Sequence, residues 1–196
     1  MDNHHSEVVE PNVYEARFSS EEVMAVAAIN DSTLQNWLAR GQLNLEQQNP
    51  GRGKPRQYTV YEVARIRFIK KLVDLAFPLT PAFKITAALK RLWQAVPGGH
   101  EAYADEVNLA SWLFVAQAEA WDMRRRTVRF PLDHSPVRAD GYVAIWAVEH
   151  VGYPNRGMRD AINFFGDAAV IVVNMGTLLK QTLSLLEQRL VARHDG

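Results

Sequence analysis

The sequence FSSEEVMAVAAINDSTLQNWLARGQL, residues 18–43, continues directly into NLEQQNPGRGKPRQYTVYEVARIRFIKKLVDLAF, residues 44–77. Apolar residues recur at helical spacing in three places along it. A short polar turn separates the first two, and a segment rich in Gly, Pro and basic residues precedes the third. The pattern predicts two short helices, a loop and a longer helix.

Local capping signals place the boundaries of the first two helices. Ser19 and Glu22 have the spacing of a capping box, which predicts a helix over about residues 20–28. Asn30 and the residue after it are good N-caps because their side-chain oxygens accept the free amides of a first turn. We therefore expect a second helix over 32–40, ending at Gly41.

The second helix divides into an apolar face and a polar face. Leu34, Trp37 and Leu38 share one side and are expected to pack on the first helix. Amide, hydroxyl and guanidinium groups can reach base edges in the major groove of DNA. The alternative is an ordinary solvated helix face. The outward residues that we predict to contact DNA are Ser32, Thr33, Gln35, Asn36 and Arg40.

The loop NPGRGKPR, residues 49–56, is called the basic loop below. It carries Arg52, Lys54 and Arg56 and no acidic residue. We expect residues 43–47 and 57–59 to pair as two short strands on either side of it, which would form a wing lying on the phosphates. A loop that is merely solvated is the alternative.

Charge is distributed unevenly, although the whole chain is neutral. Residues 40–91 contain eleven basic and three acidic residues, and the rest of the chain balances this excess. Such segregation is typical of a part that contacts DNA joined to a neutral or acidic regulatory part.

Two further helices complete the first half of the predicted fold. Thr59 and Glu62 repeat the capping-box spacing, which predicts a helix to about residue 76. Thr80 is expected to cap a fourth helix, with Pro81 at its first position, that reaches about residue 96.

Residues 18–92 resemble the DNA-binding domain of the MerR family of transcription regulators. The resemblance rests on the Ser-Ser-Glu-Glu-Val opening, Thr33-Leu34 with Trp37, the Arg-Gln-Tyr run at 56–58, and VARIRFIKKLVDLAFPL. It implies a second helix in the major groove and a wing on the backbone, and it adds Tyr58 and Arg65 to the residues at or near DNA. Gln35, Asn36 and Trp37 stand where members commonly carry an Arg-Tyr-Tyr run. The long helix that pairs subunits in that family is not evident either, because the fourth predicted helix stops before Pro97-Gly98-Gly99.

The second half predicts a small α/β domain, so that the overall class is mainly α with an α+β component. We expect a helix over 101–121, strands over 124–130, 141–148 and 168–173, a loop over 131–140 and a short helix over 158–165. Asn174 is expected to cap a last helix, 175–192. Leu179, Leu183, Leu186 and Leu190 alternate there in four- and three-residue steps. They form either a short seam between the subunits of a homodimer or a cover for the domain's own sheet.

The chain contains no cysteine and no HExxH, Gly-rich phosphate loop or nucleophile elbow. We therefore predict no enzyme activity and no cofactor. Aromatic residues of the second half would line either an effector pocket for a small molecule or an ordinary core. These residues are Trp112, Trp121, Tyr142, Trp146 and Tyr153.

The predicted organisation is a disordered leader over 1–12, a winged helix-turn-helix over 13–96 and a regulatory or dimerisation domain over 101–196. No apolar run is long enough to suggest a membrane span, and a cytoplasmic location is expected. The leading hypothesis is a sequence-specific transcription regulator that binds double-stranded DNA. The alternative is a phage-type excision or architectural factor that bends DNA with the same winged helix.

Overall fold

The computed structural model describes residues 15–41, 43–47, 50–94, 111–117, 137–148 and 171–194. The predicted leader, the strand over 124–130, the helix over 158–165 and the boundary near residue 100 lie outside these residues. Helices and strands follow in the order β1 Phe18–Ser19, α1 Ser20–Ala27, α2 Asp31–Ala39, β2 Gln57–Tyr58, α3 Val60–Asp74, α4 Leu79–Gln94, β3 Ser111–Gln117, β4 Val137–Ala139, β5 Tyr142–Val148, β6 Ile171–Asn174 and α5 Met175–His194.

The predicted caps of α1 and α2 are confirmed. The amide of Glu22 donates to Ser19 Oγ at 3.3 Å, and the Ser19 amide donates to Glu22 Oε2 at 2.7 Å. Asn30 Oδ1 accepts from the Thr33 amide at 2.8 Å, which satisfies one of the free donors of α2. The helix ends before Gly41, whose φ of 64° is in the left-handed region that glycine adopts without strain.

The predicted hairpin around the basic loop is wrong. Gln57 and Tyr58 pair antiparallel with Ser19 and Phe18, so that β2 is joined to β1. Residues 43–47 form turns and irregular structure instead of a strand. Phe18 and Tyr58 are both fully buried, and the pairing lets them share the core beneath α1 and α3. The burial of these two aromatic rings therefore favours pairing of β2 with β1, a strand that is distant from it in sequence.

The helix α3 crosses the centre of the N-terminal core. Val63, Ile66, Ile69 and Leu72 on its inner face are fully buried. Its end is followed by α4, which begins at Leu79 and not after Thr80 as predicted. The Ala82 amide donates to the Pro78 carbonyl at 3.2 Å, so the first turn already includes Thr80.

An antiparallel sheet with the order β4-β5-β3-β6 replaces two predicted elements. Residues 111–117 form its strand β3, where a helix was expected, and residues 137–139 form β4 inside the expected loop. The run SWLFVAQ is rich in aromatic and aliphatic residues that favour strands, and it pairs with β5 along its whole length. The strands predicted over 141–148 and 168–173 are confirmed where the structure describes them, as β5 and β6.

The helix α5 packs on α1, α3 and β3. The Thr177 amide donates to Asn174 Oδ1 at 2.9 Å, which confirms the predicted cap. Leu186 and Leu190 are buried inside the chain, in the same core cluster as the residues of α1 and α3. The four leucines at 179, 183, 186 and 190 are called the leucine row below. Its packing within one chain agrees with the second alternative, but α5 covers α1 and α3 in addition to the expected sheet. Among the described helices, none has the length and apolar character required to cross a membrane.

Candidate nucleic-acid interface

The helix α2 presents a polar face to solvent. Ser32, Gln35, Asn36 and Arg40 are exposed and Thr33 is half-exposed, as the sequence predicts. Two of these side chains are held near the start of the helix. Ser32 Oγ donates to Asn30 Oδ1 at 2.9 Å, and Gln35 Nε2 donates to Asp31 Oδ1 at 3.2 Å.

The opposite face of α2 is anchored in the core. Leu34 is fully buried, and Trp37 and Leu38 are 5% and 7% exposed. The edge of the Trp37 ring meets the Phe83 ring of α4, with centroids 5.6 Å apart and planes at 86°. Because its apolar face is buried in the core and contacts α4, α2 is held with its polar side chains directed outward.

The basic loop exposes cations on a backbone shaped by glycine. Arg52 and Lys54 are exposed, and the Lys54 amide closes a turn on the Gly51 carbonyl at 3.3 Å. Gly51 and Gly53 have φ values of 93° and 78°, a conformation that other residues rarely adopt. Arg56 is half-buried and lines a cleft beside Arg17 and Arg189.

Tyr58 does not belong to the exposed surface, contrary to what the resemblance implied. Its side chain is fully buried, and its hydroxyl lies 3.4 Å from Ser20 Oγ. The pairing of β1 with β2 turns this ring into the core. Its structural contribution is to hold the base of the basic loop against α1.

Arg65 was also expected at or near DNA, but its guanidinium is occupied by protein groups. It donates to the Leu43 carbonyl, to the Phe83 carbonyl at 3.2 Å and to Thr86 Oγ1 at 3.4 Å. Burial lowers the pKa of Arg65, while the charge of Glu62 acts in the opposite direction. Arg65 therefore connects the segment after α2, at Leu43, to α4.

The carboxylate of Glu62 accepts two main-chain hydrogen bonds, and its capping-box spacing predicts only one of them. Its Oε2 accepts from the Thr59 amide at 2.7 Å, as a capping box requires. Its Oε1 accepts from the Glu46 amide, also at 2.7 Å, which sequence analysis missed. The buried carboxylate thereby fixes the segment that leads into the basic loop.

A family model described as MerR HTH family regulatory protein matches residues 18–89, the span from β1 into α4. The N-terminal region of this chain is a MerR-type helix-turn-helix domain. The predicted resemblance is thereby confirmed, and the matched family is one of helix-turn-helix regulatory proteins. No curated protein matches the chain.

Part of the aromatic group predicted to line an effector pocket lies beside the MerR-type domain. Tyr142 of β5 meets Phe77, which lies between α3 and α4, with ring centroids 4.7 Å apart and planes at 69°. In the sheet register, Trp112 is opposite Ala147 and Trp146 is opposite Leu113. Trp121 and Tyr153 lie outside the described residues. The ring of Tyr142 thus joins the sheet to the MerR-type domain.

Other contacts fasten α5 to the MerR-type domain. The guanidinium of Arg193 donates to both carboxylate oxygens of Glu22 and, at 3.0 Å, to the Arg17 carbonyl. Its Cζ also lies 5.6 Å from the centroid of the Phe18 ring. In the described ranges, no three carboxylate or imidazole side chains are grouped so that they could hold a metal ion.

Proposed function

We propose that this protein is a sequence-specific, DNA-binding transcription regulator that places α2 in the major groove and the basic loop on the phosphates. The observation that carries the proposal is a MerR-type domain whose α2 buries Leu34, Trp37 and Leu38 while its polar residues face outward. A helix anchored on one face and polar on the other has the form of a recognition helix.

Base reading is assigned to the exposed amides and guanidinium of α2. Gln35 and Asn36 suit adenine, because a side-chain amide can donate and accept at one base edge. Arg40 suits guanine, to which a guanidinium donates two parallel hydrogen bonds. Ser32 and Thr33, at the start of the helix, would serve either bases or phosphates.

Phosphate contact is assigned first to Arg52 and Lys54, the exposed cations of the basic loop. Arg56 has a secondary place in the proposal because its side chain is half-buried. Tyr58 and Arg65 are removed from it as direct contacts. Both support the interface from within, since one anchors the loop and the other anchors the turn after α2.

A salt titration tests the phosphate contacts without knowledge of the operator. Binding to a fixed duplex is measured by fluorescence anisotropy as the salt concentration rises. Each phosphate contact contributes a slope of about −0.9 in log K against log salt. Replacing Arg52 and Lys54 together with Ala should reduce the slope by about 1.8, whereas Lys180→Ala on the exposed side of α5 should leave it unchanged. An unaltered slope in the double variant would remove the basic loop from the interface.

A homodimer remains part of the proposal, but the leucine row of α5 is a poor candidate for its seam. Leu186 is fully buried and Leu190 is 5% exposed within a single chain. Opening that packing to pair two subunits would expose the core of the MerR-type domain. The symmetry of a selected operator would report the oligomer, because a dimer binds two half-sites related by a twofold axis.

A further inference from the structure

A cleft of about 430 Å³ lies where the MerR-type domain meets β6 and α5. Its walls come from the end of α1, the outer face of α3, the last residues of β6 and the first turns of α5. The volume is within the range of small-molecule sites, which is about 300–1,000 Å³. The cleft is separate from the aromatic group described above and from the outward face of α2.

The most informative group in the cleft is the guanidinium of Arg67. Its Nη2 donates to Gln181 Oε1 at 3.4 Å, a long hydrogen bond. Its Nη1 is buried and has no hydrogen-bond partner among the described residues. A buried donor without an acceptor is costly, and a guanidinium has five donors to satisfy. Burial also lowers the pKa of Arg67, as expected for a cation removed from water.

The charge around Arg67 favours an anion. Lys70 and Lys71 line the same cleft, and Asp74 is the acidic residue among the lining groups. Lys70 pairs with Asp74, so these two charges largely cancel. Arg67 and the exposed Lys71 then leave an excess of positive charge. The positive end of the α5 dipole, at Asn174 and Thr177, adds to this potential.

The remaining wall is apolar. Val26 and Ala27 of α1 line the cleft together with Val172 and Leu178. Val172 is 40% exposed and stands between half-buried Ile171 and buried Val173. A ligand that covered it would remove apolar surface from water.

We propose that this cleft binds a small organic anion, with its carboxylate or phosphate group on Arg67 and Lys71 and its apolar body against Val172. Guanidinium and ammonium groups bind oxyanions of both kinds, and the adjoining wall selects a molecule that is not polar throughout. The site touches α1 and α3 of the MerR-type domain as well as α5, so its ligand would stabilise their packed arrangement. The inference does not depend on DNA binding.

Calorimetry on the full chain with sodium octanoate as the probe tests the site. Sodium chloride at equal ionic strength serves as the blank, and inorganic phosphate tests competition for the anion position. Octanoate should bind saturably, and phosphate should weaken its binding. Arg67→Gln should weaken octanoate binding by about tenfold or more, because a charged hydrogen-bonding partner is lost. Arg189→Gln, which removes an exposed arginine elsewhere on α5, should bind as the wild type does.

Two surface variants keep the test decisive if Arg67→Gln does not fold. Lys71→Gln should weaken octanoate binding by several-fold, and Val172→Asp should abolish it by placing a negative charge on the apolar wall. Circular dichroism would verify that both variants are folded. The proposal is overturned if the wild type shows no saturable octanoate binding, if phosphate does not compete, or if both surface variants bind octanoate unchanged.

Discussion

Oε1 of Glu62 accepts a hydrogen bond of 2.7 Å from the main-chain amide of Glu46. The same carboxylate accepts from the Thr59 amide through its other oxygen, and its side chain is 5% exposed. The buried side chain of Glu62 thus both caps α3 and holds the segment that leads into the basic loop.

Replacing Glu62 with Ala should therefore destabilise the protein. Two main-chain amides lose their acceptor, and we expect the free energy of unfolding to fall by about 2–4 kcal/mol. Urea denaturation followed by circular dichroism measures this. Glu187→Ala, at an exposed position of α5, is the control and should change it by less than about 0.5 kcal/mol. Equal stability of the two variants would show that the Glu62 carboxylate is not the anchor.

Arg65→Gln should reduce stability without changing the electrostatics of DNA binding. Loss of its hydrogen bonds leaves the carbonyls of Leu43 and Phe83 without their donor, at a cost of about 1–3 kcal/mol. The salt slope of DNA binding should match that of the wild type, unlike that of Arg52→Ala. A normal unfolding curve together with a shallower salt slope would instead return Arg65 to the phosphate contacts.

Leu186→Ala distinguishes self-packing of α5 from subunit pairing. Leu186 is fully buried, so truncation should lower the free energy of unfolding by about 2–5 kcal/mol. Sedimentation should show no change in oligomeric state. Leu185→Ala, one residue earlier and 37% exposed, is the matched control and should have little effect on stability. Wild-type stability combined with dissociation of a dimer would support the leucine seam instead.

The pair between Arg193 and Glu22 predicts a pH dependence of stability. Burial acts to raise the pKa of Glu22, but the hydrogen bonds from Arg193 and Ser19 outweigh it, and the net pKa is lowered. A carboxylate with a lowered folded pKa contributes stability above its unfolded value of about 4.3, and this is lost as the pH falls through the folded pKa.

Glu22→Gln should therefore be less stable than the wild type at pH 7, and the difference should shrink steadily below about pH 4.3. Thermal unfolding over a pH series measures it. Glu187→Gln is the control, since its side chain is exposed. A difference between wild type and Glu22→Gln that stayed constant down to pH 2 would contradict the ion-pair explanation.

Asn36→Ala should reduce discrimination between DNA sequences more than it reduces overall affinity. A well-placed amide is worth about 1–3 kcal/mol of preference for its base. An operator selected from random duplexes and a scrambled version of it would be compared by anisotropy. The ratio of operator to scrambled affinity should fall by about 5- to 150-fold in Asn36→Ala, and Arg52→Ala should weaken binding to both duplexes by the same factor. If Asn36→Ala discriminated between the two duplexes as well as the wild type does, Asn36 would not be a base-contacting residue.

The features that could be predicted from the sequence are those with a local signal. The caps at Ser19, Asn30, Thr59 and Asn174 depend on side chains that accept from amides three residues away, so spacing alone predicts them. The division of α2 into buried and exposed faces is equally local, because helical periodicity determines it. This is also why the MerR-type domain could be identified from the sequence.

The errors arose where the partner is distant along the chain. Nothing near Tyr58 indicates that its strand pairs with Phe18, and nothing near Arg65 indicates acceptors on α4. Residues 111–117 were misassigned because Trp112, Leu113 and Ala116 fit a helical stripe, while the pairing with β5 that makes them a strand is non-local. Where the apolar pattern of a segment fits both a helix and a strand, tertiary contacts decide which of the two it forms.

The contact between Arg193 and Glu22 also sets an order of events during synthesis. The two residues are separated by 171 positions. At translation rates of about 5–20 residues per second, the Glu22 carboxylate emerges roughly 9–34 s before the guanidinium that binds it. Throughout that interval the surface of α1 and α3 that α5 later covers is without its partner helix, and its apolar side chains are open to water.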